Sequence, residues 1–389
     1  MKKAIRLLVL ATILLVSLVV LNACTPPSEL THDKMITDSF DAITVDTEDD
    51  SVNVTILPAA DGTNRITGAL CKGRSLITES VDGVLTVRVK DERSFLIRWI
   101  SPRPSAVTLY LAKNVYGALT VNGSTGDVTV GEGLSFEEIT IDISTGDVRL
   151  SSVITTKGIT LDASTGDITL TAVTALGDMK IKQSTGTTVL TDVTANSLSI
   201  EGSTGELTLS DVGVLGAMTL KRSTGDTMVE RVIAASLLAE ADTGDMSFNE
   251  MTVNGKYSVT TTTGDTTHQK VSADTVTIEA TTGKITLIDT LTADWMAVGT
   301  RTGGITLTNT EAGGLMKLRA TTGDVALDHA EADELDIETS TGRVTGTLRS
   351  AKIFSAQSSS GRITVPETTT GGRCKVVTDT GRINLSIAE

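Results

Sequence analysis

A turn of the type Ser/Thr-Thr-Gly-Asp recurs fourteen times along the chain, and this repeat constrains the fold more than any other feature. Successive glycines of the turn are 19 or 20 residues apart throughout. The glycines are Gly126, Gly146, Gly166, Gly186, Gly205, Gly225, Gly244, Gly264, Gly283, Gly303, Gly323, Gly342, Gly361 and Gly381. A short fixed period of this kind predicts one structural unit that is stacked many times.

Apolar residues keep fixed offsets from each glycine and alternate with polar ones. They stand seven and five residues before the glycine, as in Ile139 and Ile141, and two and four residues after it, as in Val128 and Val130. A further apolar position follows seven residues after the glycine, as at Val153. Alternation with a period of two predicts strands with one buried face.

Stacked coils bury such strands better than a series of hairpins, because each strand then pairs with its own copy in the next coil. We therefore predict an all-β fold, a β-solenoid resembling a parallel β-helix, over residues 119–389. At the usual strand spacing, fourteen coils would give a rod about 65 Å long. Aromatic residues are only 3% of the chain, which fits a regular interior of stacked aliphatic side chains.

The N-terminus has the pattern of an export signal. Lys2, Lys3 and Arg6 precede an apolar run, residues 7–21, and the stretch Leu21-Asn22-Ala23-Cys24 resembles a bacterial lipobox. We expect residues 1–23 to be a lipoprotein signal peptide, Cys24 to carry the lipid (palmitate), and residues 24–35 to be a tether. The expected location is therefore extracytoplasmic, with the protein anchored to a bacterial membrane.

Residues 36–118 contain strand-like runs without the glycine turn, and we predict that they form a β-rich cap on the first coil. The other end, from Ile383 onward, shows no cap in the sequence. Because exposed strand edges invite pairing, self-association at the C-terminal edge is a further expectation.

The Thr-Gly-Asp turns and the segment 111–116 (Leu-Ala-Lys-Asn-Val-Tyr) resemble a family of bacterial surface proteins built from short β-strand repeats. That family is labelled as adhesins and has otherwise unknown function. The likeness covers about residues 36–389 and implies a cell-envelope location with an adhesive or envelope-associated role. The family has no agreed catalytic residues, so the resemblance assigns none here.

The residue after each glycine forms a column that is acidic at first and basic at the end, where Arg343, Arg362 and Arg382 stand. Neighbouring carboxylates in register would repel each other by about 1 kcal/mol in water. Either backbone amides of the turns or bound cations must offset this repulsion, so hydrogen-bonded aspartates and a calcium ladder are the two alternatives. No cofactor is otherwise expected. The candidate column for a cation or cationic partner is Asp127, Asp147, Asp167, Asp226, Asp245 and Asp265.

A few other residues carry possible chemistry. Trp295 takes an outward phase and Trp99 lies in a basic, aromatic segment, so both are candidate ligand contacts. His268 and Cys374 fall in apolar columns, which predicts core residues rather than ligands. Two turns read Asp-Thr-Gly, as in aspartic proteases, but seven coils separate them, about 34 Å at the spacing of stacked strands. We therefore expect no enzyme activity.

The function that these features predict is that of a non-catalytic cell-envelope lipoprotein, an adhesin-like or structural stalk that presents a repetitive β surface. Its partners would be the membrane through the anchor and a cell-wall polymer, glycan or protein. The net charge of −15 argues against nucleic acid. One alternative is an envelope sensor or decoy that binds cationic peptides on the acidic flank. A polysaccharide-acting enzyme is a remote alternative, since coils of nearly constant length leave no room for catalytic loops.

Overall fold

Parallel pairing of each repeat with the next builds one continuous β-solenoid, as the sequence predicts. The computed structural model describes residues 30–47, 51–71, 73–92 and 105–388. Within these ranges every element of regular secondary structure is a β-strand. No helix there is long and apolar enough to span a membrane. Cys24 and Trp99 lie outside the described residues.

Seven strands precede the first glycine-turn coil. They are β1 (Leu30–Met35), β2 (Ala42–Asp46), β3 (Val52–Pro58), β4 (Arg65–Leu70), β5 (Arg74–Val81), β6 (Val84–Asp91) and β7 (Ser105–Leu111).

The glycine-turn coils supply the other strands. The first of them are β8 (Val115–Thr125), β9 (Val128–Val130), β10 (Ser135–Thr145), β11 (Val148–Ser151), β12 (Ile154–Thr165), β13 (Ile168–Thr185), β14 (Thr188–Thr204), β15 (Leu207–Thr224), β16 (Thr227–Thr243), β17 (Met246–Thr263) and β18 (Thr266–Thr282). The last are β19 (Ile285–Ile288), β20 (Leu291–Thr292), β21 (Met296–Thr302), β22 (Ile305–Thr308), β23 (Glu311–Thr322), β24 (Val325–Thr341), β25 (Val344–Leu348), β26 (Lys352–Ser358), β27 (Ile363–Thr364), β28 (Gly372–Thr380) and β29 (Ile383–Ile387).

Each coil stacks on the next with equivalent residues in register. In β13 and β14, for example, Leu170 pairs with Leu190 and Ile181 pairs with Ile200. The apolar columns expected from the sequence are buried, and the whole interior is one hydrophobic cluster along the rod. Coils of 19 and 20 residues differ at one corner, because the register shift between β13 and β14 falls between Ala175 and Asp178.

Two coils of the N-terminal region belong to the stack, which refines the cap predicted for residues 36–118. Strands β2 and β3 pair parallel with β8 and β9, and on their other side with β6 and β7. The antiparallel strands of this region are β1, β4 and β5: β4 pairs with both β7 and β1, and β5 pairs with β6. The predicted cap therefore combines two extra coils with antiparallel strands.

The last residues of the tether predicted over residues 24–35 form a strand in the structure. Residues 30–35 form β1, which pairs antiparallel with residues 65–70 of β4. The backbone of β4 offers a free edge on this side, and an adjacent extended segment satisfies its amides and carbonyls whatever side chains it carries. Residues 30–35 of the predicted tether are therefore part of the sheet.

The order of the coils reverses at the far end of the rod. The last segment of the chain, β28 and β29, pairs with β24 and β25 on one side and with β26 and β27 on the other. Ile383 is consequently fully buried. The sequence-based expectation that the chain from Ile383 forms the open edge is therefore wrong, and β26 with β27 forms that edge instead.

Candidate functional site

The column of aspartates after the turn glycines forms a ladder of hydrogen bonds between coils. The amide of Asp147 donates to Oδ1 of Asp127 at 3.0 Å, and the amide of Asp167 donates to Oδ1 of Asp147 at 2.9 Å. In a second run, Asp245 donates to Asp226 at 2.9 Å and Asp265 to Asp245 at 2.8 Å. Each carboxylate thus accepts an amide of the next coil.

These amides provide the offset for like-charge repulsion that the sequence requires. The bond from the Asp167 amide is the main cause that lowers the pKa of Asp147, and Arg149 adds to it. The same acceptor position is filled by an uncharged amide oxygen at the start of the ladder, where Asn53 Oδ1 accepts from the Asp127 amide at 3.0 Å. The geometry therefore needs an oxygen at this position and does not need a charge.

The carboxylates of the ladder do not converge on a single point. Among the described residues, no three or more His, Cys, Asp and Glu side chains gather closely enough to hold a metal ion. One oxygen of each ladder carboxylate is already an acceptor for an amide, while a calcium site needs several oxygens around one centre. The column therefore offers no ligand cluster for the calcium hypothesis.

The glycine of each turn is required by the stacking itself. Gly225 has φ of 124°, a conformation that residues with a side chain rarely adopt. A Cβ at Gly225 would also collide with the carbonyl oxygen of Gly205 in the preceding coil. The carbonyl of one turn glycine thus points at the Cα of the next, and this close approach excludes every other residue.

Polar side chains three residues before the glycine bond to these carbonyls, a feature that the sequence-based interpretation missed. Gln183 donates to the Gly166 carbonyl at 2.5 Å, and Thr300 donates to the Gly283 carbonyl at 3.1 Å. Thr339 does the same for Gly323. From Ala241 to Thr339 the residues at this position are alternately Ala and Thr, which was the available signal.

Arg222 occupies the same inner position and is almost completely buried. Its Nη2 donates to the Glu206 carbonyl at 2.8 Å, and burial lowers its pKa. Gly202 in the preceding coil makes room for the guanidinium, because a Cβ there would collide with it. Arg222 therefore contributes to the packing of the turn, beside a surface groove that it helps to line.

A second corner lies six residues after the turn glycine. In many coils its residue is not a glycine, yet its backbone has the left-handed conformation. In ten consecutive coils φ lies between 49° and 57° at this position. The residues are Ser152, Ala172, Asp192, Asp211, Arg231, Glu250, Lys270, Asp289, Asn309 and His329. The sequence-based interpretation also missed this column, because its residue types vary.

Charged members of the second corner pair between coils. Arg231 bonds to Asp211 at 2.7 Å, and Lys270 bonds to Glu250 at 2.8 Å. The hydrogen bond from Arg231 lowers the pKa of Asp211 to about 2. These exposed pairs contribute little to stability individually.

An acidic groove follows the second run of the aspartate ladder. It has a volume of about 510 Å³ and is lined by Glu206, Asp226, Asp245 and Asp265 together with the exposed Met228. Three of the six aspartates chosen from the sequence therefore border one concave surface. The other three, in the first run of the ladder, do not line this groove.

Trp295 is exposed over 43% of its surface, as its outward phase predicts. Strand register places Leu315, which is 41% exposed, next to it in the following coil. The two side chains form a small apolar patch rather than a cleft, so Trp295 stays a candidate contact.

His268 and Cys374 are buried in the core, as their columns predict. The hydroxyl of Tyr257 lies 2.7 Å from Nδ1 of His268, and the Phe248 ring stacks on the imidazole. Burial lowers the pKa of His268 to about 3 and raises the pKa of Cys374 to about 12. Both groups are therefore neutral at physiological pH.

A known protein family matches most of the chain. The profile of the Toastrack DUF4097 family, a domain of unknown function, matches residues 40–232, 154–270 and 268–389. The chain belongs to the Toastrack DUF4097 family. These matches extend over the glycine-turn coils and over the two N-terminal coils as well. No curated protein matches the chain.

Solved structures show distant similarity. One from Bacteroides fragilis, described as a "putative adhesin", is 10% identical, with 93% of this chain and 99% of that chain covered and a TM-score of 0.25. A "putative lipid binding protein" from Parabacteroides distasonis is 13% identical, with 92% and 98% covered and a TM-score of 0.25. A "putative cell adhesion protein" from Clostridium sporogenes is 10% identical, with 59% and 100% covered and the same TM-score.

Proposed function

We propose that this chain is a non-catalytic protein of the bacterial cell envelope, anchored through a lipid on Cys24, that acts as an adhesin-like stalk. The observation that carries the proposal is that the polar side chains of the turns bond to neighbouring coils. The aspartates, Gln183 and the turn threonines form hydrogen bonds between coils, so the polar residues that recur in the repeat stabilise a rod. What remains for a partner is a long surface of repeated side chains.

The anchor is tested by metabolic labelling with a palmitate analogue. Cells that express the full chain should yield labelled protein in the membrane fraction, whereas Cys24→Ser should abolish the label and release the protein from membranes. The Cys374→Ser variant is the matched control, because that thiol is buried and its pKa is raised, so it should keep the label. Equal labelling of wild type and Cys24→Ser would contradict the anchor.

A second candidate function is capture of cationic peptides, and the acidic groove favours it. Glu206, Asp226, Asp245 and Asp265 line this groove, and Met228 supplies an apolar surface. Binding should weaken steeply as salt is raised, because exposed charges are screened over about 10 Å at 0.1 M ionic strength.

The test of this groove is binding of a labelled oligolysine peptide to Asp226→Asn/Asp245→Asn. Asparagine keeps an oxygen for the ladder, so the fold should be retained while two charges are removed. The control is Asp127→Asn/Asp147→Asn, which removes two charges outside the groove. An equal loss of binding in both variants would show non-specific attraction and exclude a groove site.

A further inference from the structure

The far end of the rod is an open edge of the sheet. Strand β26 pairs with β28, and β27 pairs with β29, but no described strand pairs with their outer sides. In the adjoining coil Cys374 and Val376 are fully buried, whereas their counterparts Phe354 and Ala356 are only half-buried. The core is therefore incompletely covered at this tip.

The tip carries the opposite charge from the rest of the rod. Residues 342–389 contain seven Arg and Lys and three acidic residues, a net charge of +4 in a chain of net charge −15. Arg343, Arg349, Lys352 and Lys375 form ion pairs with carboxylates of neighbouring coils.

Three guanidinium groups of this end are left without such a partner. Within the described residues, Arg362, Arg373 and Arg382 form no direct ion pair and all three side chains are exposed, although Arg382 lies near enough to Asp324 to help lower the pKa of that carboxyl. Arg362 and Arg382 follow turn glycines of adjacent coils, and Arg373 pairs in register with Ile353, which is 49% exposed. Unpaired positive charge therefore borders both ends of the open strand.

We propose that this tip binds an acidic, extended peptide of another protein, which adds to β26 as a further parallel or antiparallel strand. The inference deepens the proposed function by naming a class of partner, and it rests on that function. Backbone hydrogen bonds to the free edge would supply affinity, and alternate apolar side chains of the peptide would cover Phe354 and Ala356. Acidic side chains on its other face would reach the three arginines.

A peptide fits this edge better than a second copy of the chain. Two tips brought together would oppose net charges of the same sign, which disfavours association. An anionic polysaccharide could neutralise the arginines, but it would leave the strand amides and the half-buried Phe354 uncovered. The hydroxyl of Thr368 bonds to the Lys352 carbonyl, so the available edge begins at Ile353.

The experiment measures fluorescence anisotropy of a labelled peptide of alternating Glu and Val, titrated with the full chain. A second probe has the same sequence with alternate amides N-methylated, which keeps the charge but removes strand donors. The tip variant is Arg362→Gln/Arg382→Gln. Its matched control is Lys180→Gln/Lys182→Gln, which removes two exposed positive charges from the middle of the rod.

The proposal predicts saturable binding of the unmodified peptide and no binding of the methylated one. The tip variant should weaken binding about tenfold, and the control variant should leave it unchanged. Equal binding of both peptides, or equal loss in both variants, would overturn the strand-addition proposal. Binding of wild type to isolated wall polymers is measured in parallel. If wall binding persists while the peptide fails to bind, the tip assignment is wrong and the proposed function stands.

Discussion

At the scale of single residues, the turn glycine is the most constrained position of the repeat. Gly225→Ala should lower the free energy of unfolding by about 3 kcal/mol or more, because it combines an unfavourable φ with a collision against the preceding turn. Gly213→Ala is the matched control, since its Cβ would meet only Thr194 Oγ1 at 3.8 Å. Denaturant titration of both variants checks this, and equal stability would contradict the stacking geometry.

Each ladder aspartate supplies both a hydrogen-bond acceptor and a negative charge, and two substitutions can separate these contributions to stability. Asp245→Asn keeps the acceptor for the Asp265 amide and relieves repulsion, so its stability should stay within about 0.5 kcal/mol of wild type. Asp245→Ala leaves that amide without its acceptor and should cost about 1–2 kcal/mol. Similar losses in both variants, measured by thermal unfolding, would show that the charge and not the hydrogen bond matters.

At the left-handed corner, a substitution by glycine should raise the free energy of unfolding. Ala172 has φ of 53° there, so Ala172→Gly should raise the free energy of unfolding by up to about 1 kcal/mol. Ala326 lies in the ordinary strand β24, and Ala326→Gly should lower it by about 0.5–1 kcal/mol. Chemical denaturation distinguishes the two, and a loss of stability in Ala172→Gly would contradict the strained corner.

Residue patterns in the sequence predict the repeat but not all of its chemistry. The apolar columns, the outward Trp295 and the buried His268 follow from alternation alone. The left-handed corner could not be predicted, because Ala172, Arg231 and Asn309 share a backbone conformation and no side-chain property. The acidic groove depends on which aspartates border a concave surface, and a linear spacing does not contain that curvature.

At the scale of strands and coils, β17 and β18 contain a buried cluster of three rings. Tyr257, Phe248 and His268 replace aliphatic residues of neighbouring coils, and the Tyr257 hydroxyl bonds to the imidazole. The cluster makes these two coils sensitive to acid. The folded state keeps His268 neutral, whereas the unfolded chain binds a proton below its ordinary pKa of 6.5.

Stability should therefore be complete above pH 6.5 and decrease as the pH falls toward 3, the folded-state pKa. At pH 5 the loss from His268 should be about 2 kcal/mol. The double variant Tyr257→Phe/His268→Leu restores the aliphatic column without stranding the hydroxyl and should remove this component. Denaturant titrations at pH 7 and pH 5 test it, and identical pH dependence in both proteins would contradict the buried neutral histidine.

Strand order at the two ends shows the limit of prediction from a repeat. At the N-terminal end the chain forms β2 and β3, then the outer coil of β6 and β7, and then β8 and β9 on the inner side of β2 and β3. At the far end it forms the outer coil of β26 and β27 first, and β28 and β29 then fill the position next to β24 and β25. As a result, β2 with β3 and β28 with β29 are internal coils. Period and alternation are the same for an edge coil and an internal coil, since each has the same inward columns. Only the completed stack determines which coil is last, and so the open edge was assigned to the wrong segment.

At the scale of the whole molecule, the sign of the charge changes along the rod. Its glycine-turn column is acidic over most of its length, and the end formed by β26 to β29 is basic. A lipid on Cys24 would place the antiparallel N-terminal strands near the membrane and direct the basic edge away from it. The features available to a partner, which are the acidic groove, the Trp295 patch and the open edge, then lie at increasing distance from the anchor.

The measurement that tests this account most directly is co-sedimentation of the full chain with isolated cell-wall polymers at low and high salt. An adhesin-like stalk should show saturable binding that persists at high salt, because a repeated surface makes many contacts that are not purely ionic. The unfolded chain in denaturant serves as the control for trapping. Absence of co-sedimentation at both salt concentrations would contradict an adhesin-like role that acts through the cell wall.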